Sequence, residues 1–315
     1  MNRIDRTKGK VVTTPVLFCS SCPPCYKKVP ILTIRLSAHI ESFTYPDGTA
    51  ALSDIRLDVA RGEFCGILGS NGSGKTTLLR VMDGLIRSYR GKVLLDGRDV
   101  LKLHARDIYR KVGLVFQNPD DQLFAHSVFE DVAFGPRNMG FGDEEVRRRV
   151  ERALANVEMA ELGGKDIHNL SYGQKKRACI AGLLAMGHEI LLLDEPTAGL
   201  DPMGEYRMME LLTRLNRDEG VTIVMATHSV DLVPLFLHRL YILSRGRIIR
   251  GGVPEEVFSS PAEMERVKLR LPHVAELIHR LKHEDGLPFG RVPLTVGEAR
   301  REIVEMVQSN QKFTG

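Results

Sequence analysis

Nine consecutive residues, Gly69-Ser70-Asn71-Gly72-Ser73-Gly74-Lys75-Thr76-Thr77, carry the plainest chemistry in the chain. They read G-x-x-x-x-G-K-T, the pattern of a loop that wraps a phosphate. The glycines let backbone N–H groups turn inward, and a helix starting there adds the positive end of its dipole. Lys75 is placed to reach the β- and γ-phosphates of a nucleotide, and Thr76 to ligate Mg2+. The flanks agree: Phe64 to Leu68 is an apolar run that reads as a buried strand, and Thr77 to Met82 reads as a helix. A chance glycine-rich turn has no need of either flank.

Four other places could serve the same phosphate. Ile190-Leu191-Leu192-Leu193-Asp194-Glu195 is an apolar strand that ends in two carboxylates. Asp194 is placed to hold Mg2+ through water, and Glu195 to polarise an attacking water. Lys111 to Phe116 reads as a strand that delivers the amide of Gln117 at its end, and Val221 to Ala226 as one that delivers His228. Leu170-Ser171-Tyr172-Gly173-Gln174 opens a helix that runs on from Lys175 to Met186. Ser171 suits a helix cap, and the free N–H groups of Ser171, Gly173 and Gln174 could meet an anion. Tyr45, in the turn Tyr45-Pro46-Asp47-Gly48, could stack on a nucleotide base or could simply pack.

The elements that must position these residues follow from periodicity. Leu32 to Glu41 alternates apolar and polar residues as a strand does, Ala51 to Val59 makes its hairpin partner, and Lys92 to Asp96 reads as a further strand. Asp143 to Leu162 reads as a basic amphipathic helix, with Val146, Val150, Leu154 and Val157 on one side and Arg147, Arg148, Arg149 and Arg152 as its solvated face. The 315 residues suffice for one large domain or two modest ones, and an apolar share of 43% is ordinary for a globular protein. A net charge of +4 is too small to argue for nucleic acid. No apolar run approaches the roughly 18 residues of a membrane-spanning helix. Leu232 to Leu243 comes nearest, and Pro234, His238 and Arg239 break it. Any membrane crossing therefore falls to other chains, and unpaired cysteines beside nucleotide chemistry point to the cytoplasm.

Residues 1–30 stand apart. Cys19, Cys22 and Cys25 have the C-x2-C-x2-C spacing that opens an iron–sulfur run, but Val29 occupies the place of the fourth cysteine. A three-thiolate metal site, a disordered tail and a start codon placed too early are the readings open. Cys65 and Cys179 read as small core residues.

The order of parts carries a resemblance. Phosphate loop, strand-end glutamine, L-S-x-G-Q, a strand ending Asp-Glu, Gly199-Leu200-Asp201 and strand-end histidine together resemble the ATP-binding-cassette (ABC) ATPases, from about Ile31 to Phe258. The resemblance implies an α/β fold: a P-loop NTPase of ABC type, with a RecA-like core, an antiparallel β subdomain and an α-helical signature subdomain at about 118–175, followed by a helical C-terminal extension at 259–315. It implies that Tyr45 stacks on adenine and that Glu195 is the catalytic base, assisted by His228 and Gln117. Thr76, Gln117 and Asp194 would hold Mg2+. Residues 69–77 would bind ATP, and Ser171, Gly173 and Gln174 would close on the γ-phosphate held by a partner cassette, with Asp201 at the dimer interface. The usual motif has glycine where Tyr172 stands, so Tyr172 is expected to add bulk at that interface, and Tyr172→Gly to keep or raise activity.

A narrower resemblance lies in Phe116 to Phe124, in Glu130 to Pro136 and in the tail, where Leu271-Pro272 precedes one helix and Pro293 to Arg300 opens another. These look like the energy-coupling-factor group, and within it most like the ATPases of cobalt and nickel importers. That implies a homodimer or heterodimer of cassettes, a transmembrane coupling subunit, a substrate-binding membrane subunit, no nucleic acid, and a peripheral place on the cytoplasmic side of the cell membrane. The coupling subunit would dock near Asp120, Gln122, Leu123, Phe124 and Phe129. Vitamin importers of the same group use similar cassettes. A soluble ABC protein of translation or DNA repair is the alternative from another class, but those carry two cassettes or a long coiled coil, and neither is visible here.

Overall fold

The computed structural model describes residues 33–311, with side chains to residue 308. Cys19, Cys22 and Cys25, and with them the 1–30 segment, lie outside the described residues. The first elements are β1 (Ile34–Thr44), β2 (Ala50–Ala60), β3 (Phe64–Leu68), α1 (Lys75–Met82), β4 (Arg90–Leu95), β5 (Arg98–Asp99), α2 (Ala105–Tyr109) and β6 (Val112–Val115). Three helices follow with no strand between them: α3 (Val128–Asn138), α4 (Asp143–Asn156) and α5 (Tyr172–Met186). Next come β7 (Ile190–Asp194), α6 (Pro202–Asp218), β8 (Thr222–Thr227), α7 (Val233–Phe236), β9 (Arg239–Ser244) and β10 (Arg247–Gly252). Helices α8 (Pro254–Val257), α9 (Pro261–Arg266), α10 (His273–His283) and α11 (Val296–Gln311) end the described chain.

One sheet, in the order β2-β1-β4-β5, is antiparallel. The other runs β10-β9-β3-β8-β7-β6, with β9 to β6 parallel and β10 antiparallel at one edge. Both faces of the parallel sheet are covered, which is why its strands are apolar through consecutive interior positions rather than at alternate ones. The two faces divide by the period of two that a strand imposes. Cys65, Ile67, Ile190, Leu192, Val224 and Ala226 face α1 and the inner residues of β1, β2 and β4. Phe64, Leu68, Leu191, Leu193, Ile223 and Met225 face the other way, into a core shared with Met208, Leu211 and Leu212 of α6. That second core continues into α3, α4 and α5 through Val128, Val132, Val146, Val150, Leu154 and Ile180. A parallel core, an antiparallel sheet and a helical lobe are the architecture the sequence led us to expect.

One helix is shorter than its periodicity suggests. α4 ends at Asn156 and not at Leu162, because Glu158 turns into the left-handed region at φ 60. Such a residue stops a helix by turning the chain back on its last carbonyls. Glu158 N–H donates to Ala155 O and Met159 N–H to Leu154 O. The carboxylate of Glu158 then accepts from Arg177 of α5 at 2.6 Å and Arg214 of α6 at 2.7 Å, so this turn joins three helices. Arg147, Arg148 and Arg152 are exposed as expected, while Arg149 lies half-buried over the ring of Phe141. In the tail, Ile278, Phe289 and Ala299 make a small separate core. The start of α11 is capped by side chains: Thr295 Oγ1 accepts from Glu298 N–H, and the Glu298 carboxylate takes the Leu294 N–H.

Asp83 follows α1 and is buried, with its N–H on the last carbonyls of the helix. Burial pushes its carboxyl up to about 7, and the negative end of the helix dipole also disfavours its charge. The folded state therefore keeps a proton that the unfolded chain, with an ordinary value of about 3.9, gives up. Stability from this group is fully present below about pH 4, falls as pH rises from there through 7, and stays low above it. Asp83→Asn mimics the neutral form. At pH 8 it is expected to stabilise the protein by up to a few kcal/mol, since each tenfold difference in proton affinity between the folded and unfolded chain is worth about 1.4 kcal/mol. At pH 4 it is expected to change little. Equal melting temperatures for the two proteins at pH 8 would refute this.

Candidate active site

Parallel strands deliver their following residues to one edge, and that edge is where nucleotide chemistry is housed in open α/β sheets. Here Gly69 follows β3, His228 follows β8, Glu195 follows β7 and Gln117 lies just beyond β6. Two backbone bonds lock the first three together: Gly69 N–H donates to Thr227 O at 3.2 Å, and Glu195 N–H to Ala226 O at 3.0 Å.

At its two ends, Gly69 and Gly74, the phosphate loop leaves no room for a side chain. A methyl group on Gly69 would meet Leu243 O and Ser73 Oγ at 2.5 Å. Gly74 caps α1 at φ 105, and a methyl there would come 2.9 Å from Ala51 O. Ser73 is buried, and Gly246 N–H donates to its carbonyl at 2.8 Å. The outer residues Asn71 and Gly72 are exposed. Lys75 is buried and points back into the loop, with Nζ donating to Gly69 O at 2.8 Å and to Ser70 O at 3.3 Å. Tyr45 stands beside the same helix: its hydroxyl is 2.9 Å from Thr77 Oγ1, and Phe43 meets its ring edge-on at 4.8 Å.

Asp194 and Glu195 are both buried. Thr76 Oγ1 donates to Asp194 Oδ2 at 2.6 Å, while Asp194 Oδ1 is buried with no hydrogen-bond partner. Burial lifts the Asp194 carboxyl above its ordinary value, the Glu195 charge adds to this, and the Thr76 bond opposes it. A buried oxyanion with an unused oxygen beside a hydroxyl is a donor set that suits a hard divalent cation. Glu195 is held between two bases. Its Oε1 lies 3.2 Å from Lys75 Nζ, and its Oε2 lies 2.8 Å from His228 Nδ1. Gln117 is exposed, and among the described residues no hydrogen bond joins its side chain to Thr76 or Asp194.

Ser171 caps α5 in a full capping box: its Oγ accepts from Gln174 N–H, and Gln174 Oε1 accepts from Ser171 N–H. The hydroxyl proton of Ser171 stays free to donate. No hydrogen bond or ion pair among the described residues joins this segment to the phosphate loop of the same chain. Asp201 caps α6 through Gly204 N–H at 2.6 Å. The Tyr172 ring does not simply stand out as bulk. It packs on its own chain, against Gly199, with its hydroxyl 3.5 Å from Gln117 O and the ammonium of Lys176 5.2 Å from its centroid. Lys176 itself was not singled out in the sequence, where it is one of three basic residues in a row. The signal was there: it lies three and four positions before Cys179 and Ile180, on the buried stripe of α5.

The stretch expected to dock a partner divides in two. Leu123 is buried in the core, Asp120 pairs with Lys175 at 2.6 Å, and Gln122 Oε1 accepts the Phe116 N–H. Phe124 is instead 65% exposed and meets Phe134, 50% exposed, edge to face at 4.7 Å.

A glycine-lined phosphate loop with a buried lysine, paired carboxylates on the next strand but one and a capped signature helix define an ATPase of the ABC type. Comparison with known proteins agrees. Residues 52–198 match the ABC transporter family. A Geobacter sulfurreducens protein, provisionally named an ABC transporter ATP-binding protein, is 79% identical over 278 residues, covering 88% of this chain and all of that one. The energy-coupling factor transporter ATP-binding protein EcfA of Methanocaldococcus jannaschii is 48% identical over 84% of this chain and 95% of its own. Among solved structures, CbiO1 of Clostridium perfringens, described as part of the ABC transporter complex CbiONQ, is 41% identical with a TM-score of 0.69, over 79% of this chain and all of that one. The chain belongs to the ABC transporter ATP-binding proteins, in their energy-coupling-factor group. It is an ATPase subunit of such a transporter.

Proposed function

We propose that this subunit hydrolyses ATP to drive uptake of a transition metal ion, cobalt or nickel, through a membrane complex. The catalytic half of this reading is carried by one observation, the Lys75–Glu195–His228 cluster at the edge of the parallel sheet. The cargo rests on the likeness to CbiO1.

In this reading the loop N–H groups and Lys75 grip the β- and γ-phosphates, and the Tyr45 ring stacks on adenine. Thr76, Asp194 and Gln117 would hold Mg2+, which would offset phosphate charge when bound; the unpartnered Asp194 Oδ1 supports that role. A phosphate in the loop gives Lys75 a second anion, and Glu195 Oε1 becomes available to accept the proton of the attacking water. His228 keeps the carboxylate oriented through Oε2. Ser171, Gly173 and Gln174 have no link to their own phosphate loop, so they serve the nucleotide of a second cassette, identical or related, in a sandwich of two. The Phe124–Phe134 pair receives a transmembrane coupling subunit that works with a substrate-binding membrane subunit, and the cassettes sit on the cytoplasmic face. No helix in the described residues is long and apolar enough to cross a membrane, which fits a division of labour with other chains.

The test is to purify the protein with whatever membrane chains accompany it, reconstitute the complex in vesicles, and measure ATP-dependent uptake of labelled cobalt, nickel and a panel of vitamins. Uptake of a vitamin but of neither metal would overturn the cargo. Recovery with ribosomes or DNA and with no membrane protein would overturn the transporter reading.

A further inference from the structure

Glu195 is one of six non-glycine residues with positive φ in the described chain, at φ 51. That conformation is costly for a residue with a side chain and persists only where its surroundings fix it. Three hydrogen bonds do so. Its N–H donates to Ala226 O, and its carbonyl accepts from Ala198 N–H at 3.1 Å and from Lys176 Nζ at 2.7 Å. The third is unusual. Lys176 is 1% exposed, and among the described residues its hydrogen bond goes to a carbonyl and its ammonium has no carboxylate partner within ion-pair distance. Burying an ammonium against a neutral acceptor is unfavourable, and burial accordingly pulls Lys176 down to about 8, with the Glu195 charge opposing. A plain helix anchor could be an apolar residue.

We propose that Lys176 is a positioning residue for Glu195: its ammonium fixes the peptide that aims the carboxylate, and the Tyr172 ring, one turn earlier on α5, holds that ammonium in place. This rests on Glu195 being the base. The link has a second end. Tyr172 directly follows Ser171 and touches Gly199 and the Gln117 carbonyl, so the cap of α5, the turn after Glu195 and the end of β6 share one aromatic ring. A shift of the cap is thereby passed to the peptide of Glu195 through a single turn of helix.

The test compares Lys176→Met, Lys176→Gln, Tyr172→Leu and Glu195→Gln in the full chain with ATP and Mg2+, by steady-state kinetics, equilibrium binding of a fluorescent ATP analogue, and melting temperature. Lys176→Met keeps length and loses the donor. Its kcat is expected to fall about 10- to 100-fold, the range for a misplaced catalytic group, with KM and nucleotide Kd within about twofold of wild type. Lys176→Gln keeps a donor and is expected to recover at least half of that loss on a logarithmic scale. Tyr172→Leu is expected to lower kcat several-fold without weakening nucleotide binding, the opposite of the kept or raised activity expected of Tyr172→Gly if the ring were only bulk. Wild-type kcat in Lys176→Met, or equal losses in Met and Gln that track a lowered melting temperature, would overturn the proposal. If Lys176→Met does not fold, an unchanged kcat in Tyr172→Leu overturns it. Wild-type turnover in Glu195→Gln marks a different failure, that of the base assignment itself.

Discussion

Glu195→Gln is expected to slow ATP hydrolysis by about 10²- to 10⁴-fold, the usual worth of a general base, while leaving nucleotide affinity close to that of wild type. The amide keeps the size and shape of the carboxylate. It can still meet His228, now 2.8 Å from Oε2, and it leaves the Thr76–Asp194 pair untouched. What it loses is the capacity to accept a proton from water. It also loses the ion contact with Lys75, so the lysine has one anion fewer to choose between. Both changes favour a long-lived ATP-bound form, and the variant is expected to accumulate as an ATP-dependent dimer on size exclusion. Single-turnover rates separate this from slow product release: a variant that cleaves its first ATP at the wild-type rate would remove Glu195 from the role.

Phe124→Asp is expected to abolish recovery of membrane subunits and uptake together, while basal ATPase of the isolated protein survives. The backbone at Phe124 is fixed, because Asp131 Oδ1 accepts the N–H groups of both Phe124 and Ala125. The ring is thus presented outward by a rigid support. Losing its edge contact with Phe134 costs the folded chain only about 0.5–1.5 kcal/mol. A carboxylate placed in a partner's apolar socket, by contrast, must be desolvated without a counter-charge, which is prohibitive. Leu123→Asp is the control, since Leu123 lies in the core: it should unfold the helical lobe. Membrane subunits recovered in wild-type amount with Phe124→Asp would remove this patch from the docking surface.

Much of the architecture could be read from the sequence because it is set by local chemistry. The phosphate loop needs glycine where a methyl would strike Leu243 O or Ala51 O, and those clashes write the motif into the chain. Four of the five parallel strands announce themselves by apolar runs, since both faces are covered, while β9 does not, because its run is joined to that of α7 and interrupted by His238 and Arg239. Three further features were not legible, and each depends on contacts remote in sequence. The stop of α4 at Asn156 follows from a left-handed Glu158 whose carboxylate is claimed by Arg177 and Arg214. The separation of buried Leu123 from exposed Phe124 follows from how α3 sits on the lobe core. The rest of the Tyr172 ring on Gly199 of its own chain follows from Gly199 having no side chain to keep it off.

If Tyr45 stacks on the base as proposed, its hydroxyl has a bearing on which fuel the enzyme burns. It is already engaged with Thr77 Oγ1, on the helix that follows the phosphate loop. What remains for a purine or pyrimidine is the flat face of the ring, and every base has a flat face to offer in return. Discrimination between bases by orders of magnitude needs a buried donor or acceptor that the wrong base leaves unpaired, and the half-buried Tyr45 hydroxyl, shared with Thr77, is not such a group. If Tyr45 carries the base contact, this cassette grips the triphosphate firmly and is nearly blind to the letter attached to it. Its reliance on ATP then comes from the cell, where ATP is the most plentiful triphosphate.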